Sequence, residues 1–129
     1  LRFPLLATVP TASGPVAFIL VSFPAFGLGD DGHTVSIFPN QIELWDSKDI
    51  CVSGEHPETG MQRVTISGKV VNNSQYVVFL ATGNNKAEKV RDIIKNRKEY
   101  LNKYPAAKVN PKRGYLYWFL DAEAASLLE

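Results

Sequence analysis

The sequence predicts an α/β fold, an open and mostly parallel sheet with flanking helices. Two apolar runs of strand length, residues 16–23 and 76–82, are each followed by a glycine turn, at 27–33 and 83–86. An amphipathic helical pattern follows the second turn, and a third apolar run, residues 115–120, comes after that helix. Strands alternating with helical patterns are the signature of a sheet covered by helices.

Each element has its own signal. Residues 1–15 hold three prolines and read as an irregular lead-in. The run Val16-Ala-Phe-Ile-Leu-Val-Ser-Phe23 is almost continuously apolar and rich in strand formers, as a strand buried on both faces is, and it is expected to be a central parallel strand. Residues 39–60 carry mixed charges and scattered breakers and read as a long connection. Arg63-Val-Thr-Ile-Ser-Gly68 alternates like a half-buried strand, and Tyr76-Val-Val-Phe-Leu-Ala-Thr82 is the clearest core strand. Gly83-Asn-Asn-Lys86 then turns the chain, and Asn85 with Glu88 three residues on forms a candidate capping pair. The next helix puts Val90, Ile93, Ile94 and Leu101 on an apolar stripe and Lys89, Lys95 and Lys98 nearer water, and Pro105 ends it. Tyr115-Leu-Tyr-Trp-Phe-Leu120 is the third strand, after which Asp121 can cap a closing helix over 122–128.

Strand, glycine turn and helix in succession describe a Rossmann-like sheet, whose ligands sit beyond the carboxyl ends of the strands, where both glycine turns fall. No GxGxxG opens a βαβ unit and no GxxxxGK[ST] occurs, so neither a dinucleotide nor a nucleoside triphosphate is indicated. At 129 residues with 45% apolar content, the chain is one domain's worth and can bury a core. The single cysteine, Cys51, allows no internal disulfide and reads as a small buried hydrophobe. With only two histidines there is no zinc-type cluster, so no metal is expected. The longest apolar stretch, residues 16–28, is interrupted by Ser22, Pro24 and Gly27, so no membrane span and a cytoplasmic protein are expected. Residues 86–113 carry ten basic against three acidic side chains, a field that favours anions. A solvated helix face and a small phosphorylated ligand both account for it. Without aromatic interleaving or a GxxG clamp, nucleic acid does not.

The residues able to carry chemistry gather at the glycine turns. In Gly27-Leu-Gly-Asp-Asp-Gly-His-Thr34, Asp31 lies two residues from His33, near enough to fix the imidazole tautomer and stabilise the imidazolium. His33 is then a candidate base toward water, with a hydrogen-bonded structural histidine as the other reading. Asp31 can equally cap the segment after the turn, and Asp30 reads as the exposed member of the pair. Gly29 and Gly32 let the backbone come close to a ligand. Lys86, at a helix start after a core strand, can complete a phosphate cradle or serve as a plain surface lysine. Arg63 can offer a planar fork to phosphate or carboxylate, or a rim salt bridge. His56, in a loop between Glu55 and Pro57, reads as non-catalytic.

Several segments in order resemble one family: Gly27-Leu-Gly-Asp-Asp-Gly-His-Thr-Val-Ser-Ile-Phe-Pro39, His56-Pro57, Arg63-Val-Thr-Ile66, Phe79-Leu-Ala-Thr-Gly-Asn-Asn-Lys-Ala87, Pro105-Ala-Ala-Lys-Val-Asn-Pro111 and Trp118-Phe-Leu-Asp121. Together they are similar to the C-terminal half of the 6-phosphogluconolactonase family, over about residues 25–129. The resemblance implies that His33 is the general base activating water, that Asp31 supports it, and that Arg63 and Lys86 bind phosphate. The relatives that isomerise and deaminate glucosamine 6-phosphate carry a glutamate five residues after the histidine, where this chain has Phe38. Family members are roughly twice this length, and their N-terminal half supplies a Ser-Gly-Gly phosphate loop that does not occur here. The chain therefore reads as a single α/β domain over 1–129, the C-terminal portion of a longer one, with 1–24 an atypical lead-in and the missing N-terminal half a partner.

The expected function is hydrolysis of 6-phospho-D-glucono-1,5-lactone, a small phosphorylated sugar lactone, without cofactor. The alternatives are an amino-sugar phosphate isomerase or deaminase, and a non-catalytic sugar-phosphate binding protein or inactive fragment.

Overall fold

The computed structural model describes residues 24–129 in full and, before them, the backbone of Ala7–Thr11 and Gly14–Phe18. Strands β1 (Ala7–Thr11) and β2 (Gly14–Phe18) pair antiparallel, with Thr11 opposite Gly14 and Pro10 opposite Pro15. Two expectations change here. The described part of the proline-bearing lead-in lies in a pair of antiparallel strands, which tolerate Pro10 and Pro15 because a two-stranded ribbon has only edge strands. The expected central strand over 16–23 has its described part, Val16–Phe18, in that pair, while residues 19–23 lie outside the described residues. Apolar composition makes a segment a strand without choosing its partner, and a neighbour in sequence costs the least loop-closure entropy.

The parallel sheet is built from β3 (Ala25–Gly27), β6 (Tyr76–Ala81) and β7 (Tyr115–Leu120), with β6 in the middle. Phe79 stands opposite Phe26 on one side and Trp118 on the other. Side chains alternate across the sheet, so Val77, Phe79 and Ala81 point into the core with Leu116, Trp118 and Leu120. Phe79 is fully buried, and its ring stacks on Trp118 with centroids 4.3 Å apart. Helices α1 (Gly68–Asn72) and α2 (Ala87–Lys95) supply Val71, Val90 and Ile93 to the same cluster. The opposite face of the sheet buries Val78 but leaves large apolar side chains exposed: Leu80 is 61%, Tyr115 60% and Phe119 59% exposed.

The expected connection over 39–60 is more ordered than its composition suggested. It holds a 3-10 segment, Pro39–Asp46, and strand β4 (Cys51–Glu55), which pairs antiparallel with β5 (Gln62–Ile66) in a hairpin. Gln41 joins the two parts through its side-chain oxygen, which accepts the Glu55 N–H at 2.9 Å. Cys51 is exposed rather than buried, because it falls on the hairpin face shared by Ser53 and Val64, away from the body.

Helix α2 ends at Lys95, well before Pro105, because Asn96 leaves helical geometry (φ −122°, ψ 31°), and a short α3 (Arg97–Tyr100) follows. Val90 and Ile93 are buried as the stripe requires, while Ile94 is exposed. The Asn85–Glu88 capping pair does not form: α2 has no side-chain cap, because the Asn85 amide is drawn to Asp30 instead. Asp121 does accept the Ala124 N–H at 2.8 Å, but the segment beyond it is a series of turns.

Candidate functional site

The turn from Gly27 to His33 leaves the carboxyl end of β3 and closes on itself. The Gly29 N–H donates to the His33 carbonyl at 2.9 Å, and the Gly32 N–H donates to the Gly29 carbonyl at 3.0 Å. Gly32 has φ 88° and sits against the Tyr104 ring, so a Cβ there would meet both a left-handed backbone and an aromatic side chain. At Gly29 the His33 ring occupies the space a Cβ would take. Both glycines thus make room for the turn, and both N–H groups close it. Gly27, Gly29 and Gly32 have the dinucleotide-loop spacing, but a bridge between Thr34 and Ile37 follows where such a loop would start a helix.

His33 comes out of this turn half-buried and fixed at two points. Asp31 Oδ1 accepts the His33 backbone N–H at 3.0 Å and lies 2.6 Å from Nδ1. An acidic partner at Nδ1 holds the neutral ring as the Nδ1–H tautomer, leaving the Nε2 lone pair to take a proton. The imidazole also faces Phe38, centroid to centroid 4.5 Å, and Phe38 meets His56 edge-on at 5.0 Å. His56 is not isolated in its loop: its Nδ1 accepts the Glu58 and Thr59 N–H groups at 3.3 and 3.4 Å. After His33 the backbone is strained at Val35, a β-branched residue at φ 51°. Two hydrogen bonds flank it, from Thr34 Oγ1 to the Gly27 carbonyl (3.2 Å) and from the Ser36 N–H to Thr65 Oγ1 (3.1 Å).

Lys86 reaches the same turn from the other side. It follows the Gly83 turn at the carboxyl end of β6, and its ammonium pairs with Asp30, which also accepts the Asn85 side-chain N–H at 2.8 Å. The Lys86 hydrogen bond holds the Asp30 carboxyl below the usual aspartate range, against a smaller opposing effect of desolvation, with further help from the Lys86 charge, Asn85 and His33. Asp30 is exposed as the sequence suggested, yet it ties the two glycine turns together. Asp121 steadies the second turn by accepting the Gly83 N–H on both oxygens, at 3.1 and 3.0 Å.

Arg63 stands on β5 opposite Gly54. Directly opposed residues of an antiparallel pair share a face. The missing Cβ of Gly54 would point at Gln41, Leu44 and the Ser36 carbonyl, and Thr65, two residues from Arg63, bonds Ser36. Arg63 therefore rises from the body-facing side of the hairpin, above the segment that follows His33. It is exposed, and among the described residues it has no ion-pair partner.

The structure thus brings His33, Asp31 and Lys86 together around one turn and hangs Arg63 from a hairpin pinned to the next segment. Sequence reading missed the contacts of Phe38 with the two histidines, of Asn85 with Asp30, of Asp121 with Gly83 and of Thr65 with Ser36, the last three between residues far apart in sequence. Among the described residues no group of three or more His, Cys, Asp or Glu side chains is arranged to hold a metal ion. No described helix is long and apolar enough to cross a membrane.

Comparison with known proteins identifies relatives of the chain. Residues 17–118 match the family model described as glucosamine-6-phosphate isomerases/6-phosphogluconolactonase. The chain is 40% identical over 102 residues to a 6-phosphogluconolactonase of Aggregatibacter actinomycetemcomitans, covering 79% of this chain and 43% of that protein. It is 41% identical over 113 residues to 6-phosphogluconolactonase of Homo sapiens, covering 83% and 43%. Among solved structures it is similar to the devB protein, with a TM-score of 0.77 at 36% identity over 84% of this chain and 44% of that one. It is also similar to 6-phosphogluconolactonase from Trypanosoma brucei, with a TM-score of 0.74 at 29% identity over 97% and 49%. The chain spans less than half the length of these curated relatives.

Proposed function

The chain belongs to the glucosamine-6-phosphate isomerase/6-phosphogluconolactonase family, and from that membership we propose that it hydrolyses 6-phospho-D-glucono-1,5-lactone to 6-phosphogluconate. The observation that carries this reading is the 2.6 Å Asp31–His33 pair beside the Lys86 ammonium. In the proposed reaction Lys86 and Arg63 hold the phosphate, and the turn at Gly29 and Gly32 brings the backbone close to the lactone. His33 Nε2 takes a proton from water as the oxygen attacks C1, while Asp31 stabilises the imidazolium. The tetrahedral oxyanion collapses, the bond from C1 to the ring oxygen breaks, and the imidazolium returns its proton to that oxygen. The reaction needs no cofactor.

Phe38 favours the lactonase over the isomerase or deaminase reading, because a buried phenyl ring has no proton to give during sugar-ring opening. We further propose that residues 1–129 are one portion of a longer α/β domain. The polypeptide that makes up the rest of the relatives' length, on this chain or another, would then cover the sheet face of Leu80, Tyr115 and Phe119. Parallel sheets are covered on both faces almost without exception, and this one exposes large apolar side chains on one. A cytoplasmic site of action fits a charged sugar-phosphate substrate and an exposed free thiol at Cys51.

The test is hydrolysis of freshly generated lactone by the purified protein, alone and with the complementary part of a relative. His33-dependent turnover supports the reading. Ammonia release from glucosamine 6-phosphate replaces it with the isomerase, and 6-phosphogluconate binding without turnover replaces it with a binding protein.

A further inference from the structure

Asp30 and Asp31 are consecutive carboxylates with different partners. Asp31 serves His33, whereas Asp30 Oδ1 receives the Lys86 ammonium and the Asn85 side-chain N–H. Those two donors are what a phosphate oxygen arriving at the Gly83 turn would seek, and the nearby Gly83 N–H is already taken by Asp121. Exposure shows how the pair is layered: the Lys86 side chain is 19% exposed and that of Asp30 68%, so the carboxylate lies over the ammonium from the solvent side. Lys86, Asn85 and His33 all favour its charged form, so the lid is anionic at neutral pH.

We propose that Asp30 is a resident competitor for the substrate's phosphate, an affinity-setting carboxylate that must leave Lys86 and Asn85 before a phosphate can use them. The proposal rests on the reading of Lys86 as a phosphate ligand. Two consequences follow from charge alone. A phosphorylated ligand displaces the carboxylate because its phosphate carries more charge, while the neutral sugar lacking phosphate leaves the pair closed. Removing the Asp30 charge strengthens phosphate binding twice over, by freeing the donors and by removing a repelling neighbour.

The test is calorimetric titration of the whole protein with inorganic phosphate and with 6-phosphogluconate, using wild type, D30N, D30S, K86M and the double variant D30N/K86M. D30N and D30S are expected to bind both ligands roughly twofold to fivefold more tightly than wild type, the scale of a surface ion pair. In the K86M background the gain should shrink to the part that comes from freeing Asn85 and removing the repulsion. Affinity unchanged or weakened in both Asp30 variants, an equal gain without Lys86, or no phosphate binding by any of the proteins would overturn the proposal. Lys86-dependent tightening without lactone turnover upholds the competitor and removes the lactonase. His33-dependent turnover with unchanged phosphate affinity in D30N does the reverse.

Discussion

Phe38 packs its ring in a tilted contact against His33 and meets His56 edge-on, so the imidazole is backed by an aromatic side chain as well as held at Nδ1 by Asp31. A ring restrained on a face and at one nitrogen keeps its second nitrogen aimed in one direction. That preorganisation is what a general base toward water requires.

Replacing His33 by asparagine keeps a polar side chain in the turn and removes the base. Turnover of lactone should fall roughly 10²–10⁴-fold with little change in KM, as read from steady-state kinetics. D31N should also lower kcat, because the amide no longer compensates the imidazolium. A kcat equal to wild type in H33N would take the histidine out of the mechanism.

Lys86→Met retains the length of the side chain and loses its charge. KM for the phosphorylated lactone should rise about tenfold to a hundredfold, the worth of one charge-assisted hydrogen bond, while kcat changes little. Substrate-saturation curves that overlay those of wild type would show that Lys86 does not hold the phosphate.

Gly32→Ala puts a Cβ on a backbone at φ 88° and into the Tyr104 ring. The expected cost is about 1–3 kcal/mol, seen as a lower thermal midpoint, with turnover reduced because the same turn aims His33. A midpoint equal to wild type would mean that the turn relaxes freely.

Phe79→Ala removes the fully buried ring stacked on Trp118 at the centre of the sheet. Urea unfolding should show a loss of about 3–5 kcal/mol, the usual range for deleting a core aromatic side chain. A loss under 1 kcal/mol would argue that Phe79 is not in the core.

Acid should weaken the tie between the two glycine turns. The Lys86 hydrogen bond depresses the Asp30 pKa in the folded protein, so its stabilising contribution is fully present above the unfolded aspartate value, about pH 4, and is lost as pH falls through the lower folded value. Chemical denaturation at pH 7 and at pH 3 should find that D30N differs from wild type less at pH 3. An unchanged difference would remove the ion pair from the acid response.

What the sequence determined by itself was local. Strands β6 and β7 follow from apolar runs, the start of α2 from its periodicity and the preceding turn, and the Asp31–His33 pair from two residues of separation in a glycine-rich turn. Each rests on contacts between near neighbours, where backbone geometry leaves few choices. Tertiary structure decided the rest. Asp30 meets Lys86 across 56 positions, Asp121 takes the Gly83 N–H across 38, and Thr65 takes the Ser36 N–H across 29. It also paired residues 16–18 with β1 rather than with the parallel sheet, and turned Cys51 to solvent. An apolar run or a charged side chain states what it needs but not which distant surface will supply it, and that choice is made only when the whole chain packs.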